Sequence, residues 1–299
     1  MVRPVSSSTA LGVAALGIAI YSVMDVLLKR LSIESGAVLA VLWRSWAGVA
    51  ITGAAMLARR ERWPDRAAIR LHAVRGVLAT VSVLLFFWGL VRVPMAQGVA
   101  ITFVAPLLAI FLAAWTLGEP VRRAALIGSG VAAAGVLVIA AGQSRAHASA
   151  GTLLGTAAIF AASLLYAGSL VMLRRQAQVA PPLEIAFFNT LVMAVACLPV
   201  VLFLPALPTL AQMPPVIGAA VLGTVSGMLL TWAYARAQAQ VLAPVEYSAF
   251  IWAAMLGWLV FGERVSAWTV AGATLIIAGC VAAVRGASPA MPPGEAAAG

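Results

Sequence analysis

The sequence predicts an all-α polytopic membrane protein, with ten transmembrane helices arranged as two inverted five-helix repeats. Two observations carry this prediction. The 299-residue chain is 63% hydrophobic and only 9% charged, with a mean hydropathy of +1.04, whereas soluble domains have about 25% charged residues. The second half also repeats the first, because the Gly-Glu pair of TLGEP at 118–119 returns in FGER at 262–263, 144 residues later.

Ten apolar runs follow one another with short connections between them. A helix of about 20 residues crosses about 30 Å of hydrocarbon, and helices satisfy their own backbone hydrogen bonds in lipid. In chain order the predicted helices span about 9–28, 36–57, 70–91, 95–117, 123–142, 151–173, 183–204, 213–235, 240–261 and 267–284. We therefore expect one repeat over 8–142, a second over 151–285 and a disordered cytoplasmic tail over 286–299.

The net charge of +10 does not indicate nucleic-acid binding, because the basic residues cluster at helix ends. Cytoplasmic segments of membrane proteins are enriched in Lys and Arg. With both termini inside, the outer segments hold Lys29, Arg30, Arg92, Arg145 and Arg264. The inner segments hold Arg3, Arg59, Arg60, Arg62, Arg66, Arg70, Arg122, Arg123, Arg174, Arg175, Arg236 and Arg285. This excess predicts a multi-pass protein of the bacterial inner membrane with cytoplasmic N- and C-termini.

The repeat extends upstream of the Gly-Glu pair. At the same spacing Thr80-Val81-Ser82 matches Thr224-Val225-Ser226, and Trp88 matches Trp232. A unit with an odd number of crossings leaves its copy starting on the opposite face, so the two halves must be inverted. Inverted repeats are typical of secondary transporters. Some channels share them, so the pattern favours solute passage and leaves the mechanism open.

The repeated features resemble the EamA-type carriers of the drug/metabolite transporter superfamily. The matching residues are Arg44, Pro106-Leu107, Gly118-Glu119, Pro244-Val245, Gly262-Glu263 and Gly272. The resemblance implies a secondary transporter that exports small organic metabolites by alternating access. Amino acids, including aromatic and large apolar ones, are favoured because the expected central cavity is mostly apolar. Other metabolites, drugs and a passive, channel-like uniporter remain alternatives.

Three ionisable residues lie inside predicted helices, where charge is costly: Asp25, Arg44 and Glu246. Asp25 and Arg44 could form a pair that locks two helices, or Arg44 could bind a substrate carboxylate or belong to an outer gate. Glu246 could bond to backbone freed by Pro244 or pair with Arg75. Alternatively, it could bind a substrate ammonium group or carry a coupling proton.

Polar and aromatic side chains near mid-membrane complete the candidate cavity. On helix 8, Thr224, Gly227, Thr231 and Tyr234 recur on one helical face. The full candidate set is Tyr21, Ser22, Trp43, Arg44, Thr80, Ser82, Ser163, Tyr166, Thr224, Thr231, Tyr234, Glu246, Tyr247, Phe250 and Trp252. A single Thr or Ser could equally make an interhelical hydrogen bond. Pro106 and Pro244 could act as hinges or as static kinks, since each removes a helical hydrogen bond.

The other motifs suggest structural roles. The glycine pairs Gly128/Gly135 and Gly272/Gly279 predict close packing of helices 5 and 10, and the Gly-Glu pairs predict carboxylate caps at their own turns. An enzyme is not expected, because the chain has no HExxH motif, P-loop or Cys/His cluster. We expect no cofactor and no metal. The expected partners are a small-molecule substrate and the lipid bilayer, without nucleic acid, for a monomer or homodimer.

Overall fold

A computed structural model of the protein describes residues 7–60, 63–105, 107–109, 111–112, 123–145, 149–201, 203, 207–234, 245 and 247–285. These residues form helices and no strand, which confirms the all-α fold class. The helices, numbered here in chain order, are α1 Ser7–Ser35, α2 Ala37–Arg59, α3 Arg66–Leu90, α4 Met95–Thr102, α5 Arg123–Arg145, α6 Ala150–Val179, α7 Pro182–Val201, α8 Met213–Tyr234, α9 Ser248–Phe261 and α10 Ala267–Arg285.

Six of the described helices, α1–α3 and α6–α8, are long and apolar enough to cross a bilayer. Shorter apolar helices at Met95–Ala109, Leu126–Gly142, Ser248–Phe261 and Ala267–Ala282 complete the set. The protein is therefore a ten-helix membrane protein built from two inverted repeats. Helix α1 is longer than its apolar run predicted and continues to Ser35, so Lys29 and Arg30 belong to the helix and not to a connection.

The regular part of α4 ends, and helix α9 begins, at equivalent places in the two repeats. The regular part of α4 ends at Thr102, and the N–H groups of Phe103 and Val104 bond to carbonyls only three residues back. Helix α9 begins at Ser248, after a turn at Tyr247, which is 144 residues beyond Phe103. The span expected over 95–117 thus contains a turn at Phe103, and the first part of the span expected over 240–261 lies outside the described residues. Their proposed hinges, Pro106 and Pro244, lie outside the described residues.

The helices pack in two mixed groups, each with members from both repeats. Group A consists of α1, α8 and α9, and group B consists of α6, α3 and α4. Within them α1 packs on α8 and α9, and α6 packs on α3 and α4. Ser226 of α8 donates a hydrogen bond to the Gly17 carbonyl of α1 over 2.8 Å. Its counterpart Ser82 of α3 donates to the Ala162 carbonyl of α6, also over 2.8 Å. The matching bonds reveal a pseudo-two-fold axis that exchanges the two groups.

The axis passes between α4 and α9 and between α5 and α10. The rings of Phe103 and Tyr247 meet edge to face, with centroids 5.2 Å apart. A Cβ atom added at Gly135 would lie 2.6 Å from the Gly272 carbonyl oxygen, and one at Gly272 would lie 2.6 Å from the Gly135 oxygen. Only glycine permits such backbone contact. The glycine stripes that the sequence predicted for close packing meet here, and the structure adds that α5 and α10 pack against each other.

Side-chain contacts identify the two ends of the bundle. Gln212, before α8, donates to the Ser35 hydroxyl at the end of α1 over 2.8 Å. Lys29 of α1 contacts both Glu263, after α9, and the Val93 carbonyl, between α3 and α4. These connections share one end of the bundle, here named the α1–α2 end. The connections α2–α3 and α6–α7 meet at the opposite end, the α2–α3 end, where Trp63 packs on Phe188 with centroids 5.4 Å apart.

Candidate functional site

Charged and phenolic side chains converge between group A and group B. Tyr21 and Asp25 come from α1, Arg44 from α2, Arg75 from α3 and Tyr166 from α6. Tyr21 interacts electrostatically with Asp25, Arg44 and Arg75, and Arg75 also interacts with Tyr166. Charged groups are costly in hydrocarbon and mark solute pathways when they face a bundle interior. These five residues are here named the central cluster.

Arg44 enters the central cluster from α2 and lies against group A. A Cβ atom added at Gly223 of α8 would lie 3.1 Å from an Arg44 terminal nitrogen and 3.6 Å from Cγ of Met24. Glycine at 223 thus leaves room for the guanidinium. Asp25 is buried and interacts with Arg44 electrostatically, but the two form no direct salt bridge in the described part of the chain. A helix-locking salt bridge between them is therefore not present in this conformation.

The two tyrosines of the cluster occupy related positions. Tyr166 follows Tyr21 by 145 residues, the same spacing that separates Arg174 from Lys29. Their side chains are 39% and 46% exposed, although both interact with the half-buried Arg75. Both rings therefore keep uncovered surface, although charged side chains of other helices act on them. Gly227, one turn beyond Gly223 on α8, also has no atom within 4 Å of its Cβ position.

The predicted hydroxyl residues are mostly engaged with backbone. Ser22, Thr80, Ser163 and Thr224 donate to carbonyls four residues earlier, over 3.0, 2.7, 2.9 and 2.9 Å respectively. Ser82 donates an interhelical hydrogen bond to the Ala162 carbonyl, which the sequence analysis gave as the alternative to a place in the cavity lining. Thr224 is half-buried, whereas the other four are buried. In this conformation these hydroxyls donate to backbone carbonyls, four of them within their own helix and Ser82 across to α6.

The remaining candidates divide between packed side chains and positions without a description. Trp43 is buried in the main hydrophobic core, and Phe250 and Tyr247 pack against that core. Trp252 is half-buried on α9. The side chains of Thr231 and Tyr234, and the whole of Glu246, lie outside what the structure describes, as do Pro106 and Pro244.

A buried ion pair closes the α1–α2 end, and the sequence did not identify it. The Lys29 ammonium is 2% exposed and binds the Glu263 carboxylate; it also donates to the Val93 carbonyl over 3.1 Å. The other Glu263 oxygen accepts the Met95 backbone N–H over 2.6 Å. The expectation that the Gly-Glu pair caps its own turn is wrong for Glu263, since the carboxylate caps α4, while Ser266 caps α10 through the Thr269 N–H.

Glu263 thereby joins the two groups of helices at this end. Lys29 and Glu263 belong to α1 and to the turn after α9, both on the group A side, whereas Val93 and Met95 belong to group B. The sequence had counted Lys29 as a loop charge because apolar character alone ended the first helix at residue 28. The repeated Gly-Glu pair did single out Glu263, but spacing along the chain gave no partner for it.

A second buried polar cluster lies at the α2–α3 end. His72 of α3 contacts Glu184 of α7 through Nε2 over 2.9 Å and Gln176 of α6 through Nδ1 over 2.9 Å. All three side chains are buried, and the imidazole stacks on Phe188. The cluster ties the first repeat to the second. The sequence had placed His72 only at a membrane edge, because none of its partners is near it in the chain.

Neither a metal centre nor an enclosed apolar ligand pocket stands out in the described ranges. Groups of three or more His, Cys, Asp or Glu side chains suited to a metal ion do not occur there. An open groove of about 300 Å³ between α3 and α7 is lined only by apolar residues, among them Ile69, Phe188 and Val195, and includes no member of the central cluster. The central cluster is thus the candidate site for a polar solute.

Comparison with known proteins agrees with a transport role. The EamA-like transporter family model matches residues 8–141 and again 153–285. The chain is similar to the pseudopaline exporter CntI of Pseudomonas aeruginosa, with 27% identity over 270 residues, 89% of this chain and 92% of that protein. It is also 25% identical over 193 residues to an uncharacterized transporter of Helicobacter pylori, covering 62% and 63% of the two chains. A solved crystal structure, 23% identical, has the same fold with a TM-score of 0.63, covering 95% of this chain and all of that one.

Proposed function

The chain belongs to the EamA-like transporter family, and from this premise we propose that it exports amino acids, including aromatic and large apolar ones, by alternating access. The solute would pass through a cavity between the inverted repeats. The observation that carries the proposal is the convergence of Tyr21, Asp25, Arg44, Arg75 and Tyr166 between group A and group B. Carriers of inverted-repeat architecture bind solute near the membrane midplane, at the interface of their repeats.

The chemistry of the central cluster suits an amino acid. An arginine can bind a carboxylate through two parallel hydrogen bonds, and a carboxylate such as Asp25 can bind an ammonium group. The rings of Tyr21 and Tyr166 would flank an aromatic or apolar side chain. Bound in this way, the solute's two charges would be matched without water, which offsets the cost of bringing it into the membrane.

Alternating access is supported by the places where the regular part of α4 ends and α9 begins. Carrier sites are typically formed where helices are discontinuous, because freed backbone groups and helix ends are available there. The turn at Phe103 contacts the turn at Tyr247 on the pseudo-two-fold axis. A rocking motion of group A against group B about this contact would open one end as it closes the other. In the described conformation the contacts of Glu263 join the groups at the α1–α2 end.

The proposed location is the bacterial inner membrane with both termini in the cytoplasm. The excess of arginine in the segments on the side of the termini supports this orientation, and the similar transporters are bacterial. The α1–α2 end would then face outward. The contacts of Lys29 and Glu263 would close the outer side, so that the described conformation corresponds to a carrier that is not open to the exterior.

A second candidate substrate is favoured by one comparison. The pseudopaline exporter CntI matches 89% of this chain, so pseudopaline is a reasonable alternative cargo. Both candidates would use the same central cluster, and their relative transport rates distinguish them.

Uptake into proteoliposomes tests the proposed function. Purified protein would be reconstituted and supplied with a panel of radiolabelled amino acids and with pseudopaline, with and without a pH gradient. We expect saturable transport that is accelerated when the same solute is present on the opposite face, as a carrier requires. A flux that is linear in concentration and unaffected by solute on the opposite face would instead support the passive uniporter or channel. The absence of transport for every amino acid would reject the proposal.

A further inference from the structure

Arg75 is a charged side chain in the middle of the bundle without an acidic partner among the described residues. It lies ten positions into α3, which begins at residue 66 and spans the membrane. Its Nε is buried and makes no hydrogen bond within the described part of the protein. A guanidinium stays protonated in proteins and has five N–H donors to satisfy. A buried N–H without a partner needs an explanation in a folded protein, and a bound ligand is one.

The described groups that act on the charge of Arg75 are phenols, which do not neutralise it. The groups that act on it electrostatically are the phenols of Tyr166 and Tyr21. Asp25, the acid of the cluster, interacts with Arg44 and Tyr21. Glu184 approaches the same helix, but its carboxylate is bound by His72 at the α2–α3 end. Among the described residues, Arg44 therefore has an acidic neighbour, whereas the groups that act on Arg75 are phenols; Glu246, which the sequence offered as a partner for Arg75, lies outside the described residues.

The pseudo-symmetry shows that the repeated fold does not require an arginine at this position. Some structural hydrogen bonds recur in both repeats, as those of Ser82 and Ser226 do. The counterpart of Arg75, 144 residues later, is Ala219, which is fully buried in α8. The repeated fold is thus built without an arginine at this position. An ionised residue in a membrane-spanning helix that the repeated fold does not require points to the transported solute.

We propose that Arg75 binds the carboxylate of the solute, between the hydroxyls of Tyr21 and Tyr166. The inference deepens the proposed function and rests on it for the identity of the cargo. The guanidinium fork matches a carboxylate in two parallel hydrogen bonds, and the Tyr21 phenol can donate one more. The ligand class is a small organic acid or amino acid with a free carboxylate. The corresponding amide or ester, which lacks the negative charge, fits poorly.

The first test compares two probes in proteoliposomes: radiolabelled L-phenylalanine and its neutral amide, L-phenylalaninamide. In Arg75→Gln we expect the KM for L-phenylalanine to rise about tenfold or more, as for loss of a charged hydrogen bond, while the KM for the amide changes less than about twofold. Arg75→Lys should recover part of the loss, because lysine keeps the positive charge but cannot make the two parallel hydrogen bonds of a guanidinium group. Arg30→Gln, an exposed arginine of α1, is the matched control and should behave as the wild type. An unchanged KM for L-phenylalanine in a folded Arg75→Gln protein overturns the inference.

A second test needs neither transport nor a stable variant. Phenylglyoxal modifies arginine side chains, and the modified peptide that contains Arg75 is quantified by mass spectrometry in the wild-type protein. Phenylacetate should slow the modification of Arg75 at least about threefold, and phenylacetamide should not. Equal effects of the two compounds, or no protection by either, overturn the inference. Protection without amino-acid transport would reject the proposed cargo and keep the carboxylate site.

Discussion

Replacement of Glu263 by Gln tests whether the contacts at the α1–α2 end hold the two helix groups together. The amide keeps the size of the side chain and an oxygen for the Met95 N–H, but it removes the charge opposite Lys29 and places there an NH2 group, which cannot accept a hydrogen bond. The Lys29 ammonium still donates a hydrogen bond to the Val93 carbonyl and still lies over the ring of Phe261, 4.9 Å from its centroid. A hydrogen bond between charged groups contributes about 1.5–3 kcal/mol. Because about 1.4 kcal/mol is a factor of ten, the population with this end open should rise about tenfold to a hundredfold.

The assay measures access to the interior from the α1–α2 end. Native Cys197 and Cys280 are replaced by Ala, and a reporter cysteine is introduced at Gly227, where the Cβ position borders open space. Labelling by a membrane-impermeant maleimide from that face should be at least about tenfold faster with Glu263→Gln. Glu34→Gln is the matched control, because Glu34 pairs with Arg30 at the same end in an exposed salt bridge, and such pairs contribute little.

The result that would refute the reasoning is equal labelling of the Glu263→Gln and Glu34→Gln proteins. A double-mutant cycle with Lys29→Met gives an independent check, since it isolates the coupling between the two side chains. If the pair holds the end closed, the double variant should be less perturbed than the sum of the two single variants. Strict additivity would mean that Lys29 and Glu263 act separately.

Three further variants have expected outcomes, each measured by thermal unfolding in detergent. Gly135→Ala should destabilise the protein by about 1–3 kcal/mol, as overpacking does, because the new methyl overlaps the α10 backbone; Gly130→Ala, which faces open space on the same helix, should not destabilise it. A neutral result at Gly135 would contradict the described α5–α10 contact. Ser226→Ala should cost about 0.6 kcal/mol, the average for an interhelical bond in a membrane protein, and a loss above about 2 kcal/mol would indicate a further role. Glu184→Ala should cost about 1–3 kcal/mol because it leaves buried His72 without its partner, and Glu184→Gln should cost less; equal losses would argue against that bond.

The sequence predicted the fold because hydropathy and repetition are local or periodic properties. Apolar length predicts a helix wherever lipid is the solvent. The recurrence of Gly118-Glu119 at 262–263 defined two units of five helices, and an odd number of crossings per unit makes the repeats inverted. Helix ends were less well predicted, since apolar character cannot tell a buried Lys29 from one in a loop. The sequence placed possible bends at Pro106 and Pro244, whereas the turns that the structure describes lie at Phe103 and Tyr247, three residues from each proline.

The sequence by itself determined the class of protein, the ten helices, the inversion of the repeats and the glycine stripes of α5 and α10, whose contact with each other only the structure showed. Only the tertiary structure decided which charges are neighbours. Arg75 meets Tyr21 and Tyr166, and Lys29 meets Glu263, across sequence separations that no spacing rule connects. In lipid the apolar faces of many helices are interchangeable, so helix order around the bundle is set by packing and by the need to match each buried polar group. That requirement acts between helices, and it becomes visible only when the helices are assembled.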